Sequence, residues 1–406
     1  ASVQAVWAQE GAEIAKGQVV AVIEAMKMQH EVKAPTSGMV VSVPVNQGDV
    51  VDADCVLIVY APNDASDQEE AAQAPPDPDH IREDLARVQH RIAKTLDESR
   101  PKAVQRRRDR GQRTTRENIS ALCEGGDFHE YGQLLLAAQR RKLGLDTLLD
   151  VSPADGIVTG VGEVNADSFH AARSQVAIMA YDSTVMAGTQ GFLGHKKTDR
   201  MMEVARQQGL ASIFLTEGGG GRPNDDDFAY IVQSGLNVTT FSAYARLEGW
   251  GPKLVVNSGY CFAGNAALFG TGDIRIATRN SWIGLAGPAM IEAGGLGAYH
   301  PTEIGPAEMH AKTGLVDILA EDDAEAMQLA RQVLSYFQGD LPDWDVADQR
   351  HLRHAIPENR KRSYLIRPVI DALADTGTFI ELGAHTAPGL ISGFLRIEGR
   401  PMGVIA

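Results

Sequence analysis

The sequence predicts a small all-β module followed by an α/β module with a largely buried sheet, and three observations carry that prediction. The first is an internal repeat of offset 37 within residues 1–60. The second is a longer repeat whose copies open at Gly126 and Gly377. The third is the alternation of apolar strand candidates with helical stretches between those two copies. With 406 residues the chain exceeds what one core organises, roughly 250–300 residues, so two or three domains are expected.

In the first repeat, residues 3–22 (VQAVWAQEGAEIAKGQVVAV) align with residues 40–59 (VVSVPVNQGDVVDADCVLIV). Gly11 falls on Gly48 and Ile14 on Val51. Apolar and polar residues alternate between glycine turns, the period of half-buried strands. Two such units facing each other predict a flattened β-barrel or sandwich. The second copy is preceded by an extended run, His30-Glu31-Val32-Lys33-Ala34-Pro35. Its equivalent for the first copy would precede Ala1, so the expectation is a module short of its first strand, within a longer polypeptide.

Residues 61–79 are rich in Ala, Pro and Gln and carry Asp64, Asp67, Glu69, Glu70, Asp77 and Asp79 without a Lys or Arg. Such a composition predicts a flexible acidic linker over 61–80. About 20 extended residues reach roughly 65–70 Å. Ile81, Leu85, Val88, Ile92 and Leu96 then give helical spacing, with Pro101 at or just past the helix end. Arg106, Arg107, Arg108, Arg110, Arg113 and Arg116 read as a solvated or interface face. No aromatic residues interleave them, and the formal net charge is −15, so nucleic-acid binding has no support.

The longer repeat matches Gly126-Asp127-Phe128-His129-Glu130-Tyr131-Gly132 with Gly377-Thr378-Phe379-Ile380-Glu381-Leu382-Gly383. Gly156-Ile157-Val158-Thr159-Gly160 then matches Gly389-Leu390-Ile391-Ser392-Gly393. Strand candidates at 211–215, 253–257 and 274–277 alternate with helical stretches at 196–208 and 323–337. The second copy has only begun when the chain stops, and truncation at both ends is the expectation.

Three places carry candidate chemistry. In Glu24-Ala25-Met26-Lys27-Met28 a single lysine sits at a turn beside the repeat, as a tethered prosthetic group requires. A plain hairpin favours Asn-Gly there rather than Met-Lys. Thr216-Glu217-Gly218-Gly219-Gly220-Gly221-Arg222 follows an apolar strand, and its glycines let backbone approach a ligand and offer N–H groups to an anion. Asn257 to Leu268 runs from a strand into a small-residue helix, whose entrance N–H groups suit a developing oxyanion. Cys261 lies in an apolar run and reads as core rather than nucleophile. The three cysteines, Cys55, Cys123 and Cys261, have no metal-ligand spacing, so no metal and a reduced, cytoplasmic protein are expected. No apolar run reaches the roughly 18 residues of a membrane span.

Glu24-Ala25-Met26-Lys27-Met28 and Ala34-Pro35-Thr36-Ser37-Gly38 resemble the biotinyl (biotin carboxyl carrier) family. Arg110 to Glu117, Gly188-Thr189-Gln190-Gly191, Glu217 to Arg222, Cys261 to Asn265 and Pro306 to Asp317 resemble the carboxyltransferase domain of biotin-dependent acyl-CoA carboxylases, which is built on the crotonase fold. The resemblance implies a biotinyl domain over 1–60 and the linker over 61–80. It implies a carboxyltransferase N-terminal half over 81–345 and the start of its C-terminal half over 346–406. It implies covalent biotin on Lys27, attached by a biotin protein ligase, with carboxybiotin delivering CO₂ to an acyl-CoA enolate. The implied oxyanion donors are the backbone N–H groups of Gly264 and Asn265. Gly219, Gly220, Gly221 and Arg222 are implied along the CoA path. Two departures stand out: the family commonly has Gly-Gly where this chain has Gly264-Asn265, and Asp-Ser where it has Glu217-Gly218. Also implied are an ATP-dependent biotin carboxylase domain upstream on the same chain, a homo-oligomer, and inactivity of residues 1–406 alone. A biotin-dependent decarboxylase and a non-catalytic carrier scaffold are the competing functions.

Overall fold

The computed structural model describes residues 1–63, 77–225, 227 and 238–406. The chain divides into two compact units, Ala1–Arg82 and Glu83–Ala406. Most of the expected linker lies outside the described residues, and Ala61 and Pro62 at its start are strand residues.

In the first unit, strands β1 (Ser2–Val6), β2 (Glu13–Ile14), β3 (Val19–Ala25), β4 (Met28–Lys33), β5 (Gly38–Ser42) and β6 (Val59–Pro62) form two three-stranded sheets, β1-β3-β4 and β2-β5-β6. The offset-37 repeat maps β1 onto β5 and β3 onto β6, and each copy makes its own antiparallel pair. The copies also exchange a short segment. Ile14 pairs with Gly38 of the second copy, while Val50, the repeat mate of Glu13, bridges Ser2 of the first. Two small cores result, one of Ile14, Val20, Ala34 and Val40, the other of Val3, Val45 and Val51. Each contains residues of both copies, so neither copy buries its apolar face alone. Among the described residues β6 pairs with β5 only, whereas its mate β3 is paired on both sides.

The second unit opens with the helix Glu83–Ala93, shorter at both ends than the apolar spacing predicts. Pro101 sits in the first turn of the next helix, Pro101–Arg108, where its missing N–H costs nothing. The main sheet has seven strands in spatial order β13-β12-β11-β10-β9-β8-β7. These are β7 (Phe128–Tyr131), β8 (Ile157–Glu163), β9 (Gln175–Tyr181), β10 (Ala211–Leu215), β11 (Lys253–Phe262), β12 (Ile274–Gly284) and β13 (Ile318–Ala320). The first three are antiparallel and the last five run parallel. Alternation sends Ile178 and Ala180 to one face, against Met327 and Leu334 of the helix Asp323–Gln338. Ala177 and Met179 go to the other, with Met201 and Met202 of the helix Phe192–Gln208. Both faces are covered, hence the near-continuous apolar strands.

The second copy of the long repeat forms its own antiparallel meander of β14 (Ile380–Leu382), β15 (Ser392–Ile397) and β16 (Arg400–Ile405). Its register repeats that of the first, with Glu130 opposite Gly160 and Glu381 opposite Gly393. Both glycines have the same steric origin. A Cβ on Gly160 would strike the His129 carbonyl and lie 2.7 Å from the Phe128 ring; one on Gly393 would strike the Ile380 carbonyl and lie 3.1 Å from Glu381 Cα. The likeness extends further upstream than the glycine motifs show. Arg116 pairs with Glu130 at 2.9 Å and Arg367 with Glu381 at 2.6 Å, each arginine 14 residues before its acid.

These contacts predict that Gly160→Ala and Gly393→Ala each destabilise the protein by about 2 kcal/mol, the usual scale of overpacking. Gly403→Ala, with open space at its Cβ, is the control. Thermal unfolding of the three variants checks this.

Candidate functional site

In the first unit, β3 and β4 are joined by a two-residue turn, with Ala25 paired to Met28. The central residues Met26 and Lys27 have φ of 52° and 64°. Both are therefore left-handed, a conformation that costs an L-residue roughly 1–2 kcal/mol and that hairpins usually assign to Asn-Gly. Packing does not return that cost, since Met26 is 94 % exposed and Met28 59 %. Lys27 is exposed, and among the described residues nothing hydrogen-bonds or ion-pairs with its ammonium. A strained turn that holds up an unpartnered amine fits a covalently attached group.

In the second unit, β10 runs into the glycine-rich loop, and pairing continues past the strand ends. Gln190 bridges Gly221, and Gly218 bridges Cys261. That continuation overturns the expected anion nest. Gly218 N–H donates to Tyr260 O at 2.7 Å, Gly219 N–H to Ala187 O at 3.0 Å, Gly220 N–H to Asn265 Oδ1 at 3.0 Å, and Arg222 N–H to Gln190 O at 2.9 Å. The loop thus spends four of its N–H donors on the protein as an extension of the sheet, and among the described residues only that of Gly221 between Gly218 and Arg222 meets no acceptor.

Arg222 is likewise not free to meet a phosphate. Its side chain is 3 % exposed and ion-pairs with Asp155, itself fully buried. The same guanidinium donates to Asp155 O at 3.1 Å, Thr189 O at 2.9 Å and Thr189 Oγ1 at 3.2 Å. Burial pushes the Asp155 carboxyl up, and Arg222 opposes the shift. Asp155 stands in a left-handed stretch, Ala154, Asp155 and Gly156, with φ of 53°, 54° and 71°. Lys197 Nζ reaches in from the helix Phe192–Gln208 to the Ala154 carbonyl at 3.2 Å and to that of Ile157.

The helix entrance follows β11. The unusual torsion sits on Ala263 (φ 52°, ψ −119°), while Gly264 and Asn265 are already helical. The strained torsion thus falls two residues before Asn265, which needs no special backbone freedom of its own. Among the described residues no acceptor meets the N–H groups of Gly264 and Asn265, as expected for the first positions of a helix. Gly264 has no room for a side chain. Its Cβ would lie 2.9 Å from Gln190 Cδ and 3.2 Å from Phe241 Cζ. Gln190 is buried, and among the described residues its Nε2 has no hydrogen-bond partner.

The basic stretch is only partly the solvated face expected of it. Arg107 is buried and grips both oxygens of Glu217 at 2.8 Å, with Ser183 Oγ at 3.0 Å and the Arg113 carbonyl at 2.8 Å. Burial pushes the Glu217 carboxyl up, against the pull of Arg107. Behind it Gly259, at φ 105°, leaves room that a Cβ would close to 2.9 Å from Glu217 Cδ. Arg108 pairs with Glu117, which also completes a capping box with Thr114 on the helix Thr115–Leu122. Cys261 is buried, and burial pushes its thiol up to about 12. No cluster of metal-ligating side chains occurs among the described residues. Sequence reasoning missed Arg107, Asp155 and Gln190, whose partners lie tens of residues away and carry no periodic signal.

Residues 106–406 match the family model of the carboxyl transferase domain. The chain belongs to the carboxyl transferase family. Residues 1–59 match a model described as a biotin-requiring enzyme, and these matches support biotin, covalently bound, as its cofactor. Among curated relatives, the methylmalonyl-CoA carboxyltransferase 12S subunit of Propionibacterium freudenreichii subsp. shermanii is 30 % identical over 75 % of this chain and 57 % of its own length. The propionyl-CoA carboxylase beta chain of Saccharopolyspora erythraea is 26 % identical over 79 % of this chain and 60 % of its own. A solved single-chain, multi-domain long-chain acyl-CoA carboxylase superposes with a TM-score of 0.76 at 44 % identity, covering 100 % of this chain and 38 % of that one. The hexameric transcarboxylase 12S core gives a TM-score of 0.66 at 27 % identity over 80 % of this chain and 62 % of its own. The chain thus spans less than two thirds of these proteins. No described helix is long and apolar enough to cross a membrane.

Two outcomes follow from the burial pattern. Iodoacetamide at pH 8 is expected to alkylate exposed Cys55 and to spare Cys261 and Cys123, whose thiols burial raises to about 12 and about 11. Mass spectrometry before and after denaturation reads this. Arg107→Met strands the Glu217 carboxylate and is expected to cost about 3–5 kcal/mol, part of which Glu217→Gln restores; chemical denaturation of the single and double variants checks it.

Proposed function

We propose that this chain performs the carboxyl-transfer half of a biotin-dependent acyl-CoA carboxylation, with biotin joined to Lys27. The observation that carries the reading is the exposed, strained Met26-Lys27 turn in a chain whose larger unit matches a carboxyl transferase domain. Residues 1–60 act as carrier, 61–80 as tether, 81–345 as the first half of the transferase and 346–406 as the start of its second half. The repeated meander with its repeated Arg-Glu pair supports this division, and with it a crotonase-like fold for the transferase. Biotin, when bound, supplies a carrier for the carboxyl group.

The chain's own residues position and stabilise. The unfilled N–H groups of Gly264 and Asn265 hold the thioester oxygen as it gains charge when an α-proton leaves the acyl-CoA. They are preorganised because the helix entrance is packed against the glycine loop. Gly219, Gly220 and Gly221 line the path of CoA with bare backbone, and Arg222 anchors that path from behind through Asp155. Cys261 takes no part, since its thiol stays protonated. The substrate is an acyl-CoA, the relatives' class. The single-chain, multi-domain carboxylase supports a biotin carboxylase domain on the same polypeptide and the transcarboxylase hexamer supports a homo-oligomeric assembly; with these we assign a biotin protein ligase as modifying enzyme and a cytoplasmic setting.

The test is co-expression of the full-length protein with a biotin ligase, followed by avidin blotting. Wild type is expected to label and Lys27→Ala not to. Lys27→Ala is also expected to retain carboxyl exchange between malonyl-CoA-type donors and free biotin while losing overall carboxylation. Equal labelling of both proteins, or no exchange with any acyl-CoA, sinks the proposal.

A further inference from the structure

We infer that Asn265 acts through its side chain as a positioning residue of the transfer site, and that Gly218 is its steric complement. The inference rests on the carboxyl-transfer reading and names what holds that site in shape. The Asn265 side chain is fully buried beneath the helix entrance. Its Oδ1 accepts the Gly220 N–H at 3.0 Å, and its Nδ2 donates to Gly188 O at 3.4 Å. One carboxamide therefore ties the glycine loop to a second segment, Met186 to Gly188.

That second segment needs an external hold. Met186, Ala187 and Gly188 are consecutive left-handed residues, with φ of 46°, 56° and 62°. Such a stretch is unfavourable for L-residues and persists only where its surroundings fix it. Ala187 O accepts from Gly219 N–H at 3.0 Å, and Gly188 O from Asn265. The loop, the left-handed turn and the helix entrance thus meet at one side chain.

The space for that side chain comes from Gly218. A Cβ there would lie 2.9 Å from Asn265 Cγ and closer still to its Nδ2 and to Gly188 O. Any residue larger than glycine at 218 displaces the carboxamide and also crowds the Gly188 carbonyl. Gly218 has no need of a positive φ, so close approach alone explains it. Gly218 and Asn265 are then the two halves of one contact. Because Asn265 also presents its N–H at the helix entrance, its side-chain bonds orient the residue that carries the oxyanion donor.

The experiment uses the full-length biotinylated enzyme with Asn265→Gly, Gly218→Ser and the double variant. Asn265→Gly is expected to lower kcat about ten-fold, a loss within reach of two buried hydrogen bonds, with KM for acyl-CoA changed less than about two-fold. Gly218→Ser is expected to lose at least as much. The Gly188 carbonyl still crowds a Cβ at 218 when the carboxamide is gone, so the double variant is expected to lose no more than Gly218→Ser alone, in which the carboxamide contact is already broken. Unchanged kcat in Asn265→Gly, or losses that simply multiply in the double variant, overturn the inference. Amide exchange at Gly220 reads the contact without substrate: protection is expected to fall in Asn265→Gly, and unchanged protection overturns the inference. If Asn265→Gly does not fold, Asn265→Asp, which keeps the acceptor for Gly220 and loses the donor to Gly188, takes its place with the same kinetic expectation. Failure of the carboxyl-transfer reading is distinguishable, because wild type itself then transfers nothing to free biotin while the exchange result still decides the contact.

Discussion

The buried pair of Arg222 and Asp155 is the interaction on which the second unit's functional surface depends. A guanidinium at 3 % exposure is tolerable only because every direction it faces holds an acceptor: the Asp155 carboxylate and carbonyl, and Thr189 twice. Asp225 adds a second acid at 3.6 Å. Through this one side chain the end of the glycine loop is held against two other segments of the fold. Removing Arg222 leaves the buried Asp155 carboxylate without its cation, and removing Asp155 leaves Arg222 only the more distant Asp225, so the pair acts as an anchor rather than as a source of surplus stability.

Around that anchor the chain repeatedly adopts left-handed backbone. Ala154 to Gly156, Met186 to Gly188 and the single residue Ala263 all carry positive φ. Each stretch is unfavourable by itself and is restrained by side chains from other elements: Lys197 and Arg222 for the first, Asn265 for the second. Ala263 N–H is held by Gly284 O at 2.9 Å. Backbone forced into such shapes aims many of its polar groups inward at one another, while among the described residues the helix-entrance donors meet no acceptor. The first unit uses the same device differently: Met26 and Lys27 are strained, yet nothing encloses them, and the result is an amine displayed to solvent.

The sequence was most informative where a signal repeats or is local. The offset-37 repeat foretold the strands of the first unit, and the glycine motifs foretold a duplication in the second, which the structure resolves as two antiparallel meanders. It was least informative about the basic stretch, where six similar arginines include one, Arg107, that is buried on Glu217 across 110 residues of chain. The glycine loop misled for a related reason. Glycines license close approach but do not say what approaches, and here neighbouring strands and Asn265 take the N–H groups.

What the sequence determined by itself, then, is whatever short-range geometry dictates: strand alternation, the tight turn at Lys27 and the duplication of both modules. Those follow from steric rules that act within a few residues. Only the tertiary structure decided which backbone N–H groups remain free, which arginine is solvated, and that Gly218 leaves room beside the Asn265 side chain. Those questions turn on hydrogen-bond partners and excluded volume supplied by residues distant along the chain, and no local pattern encodes them.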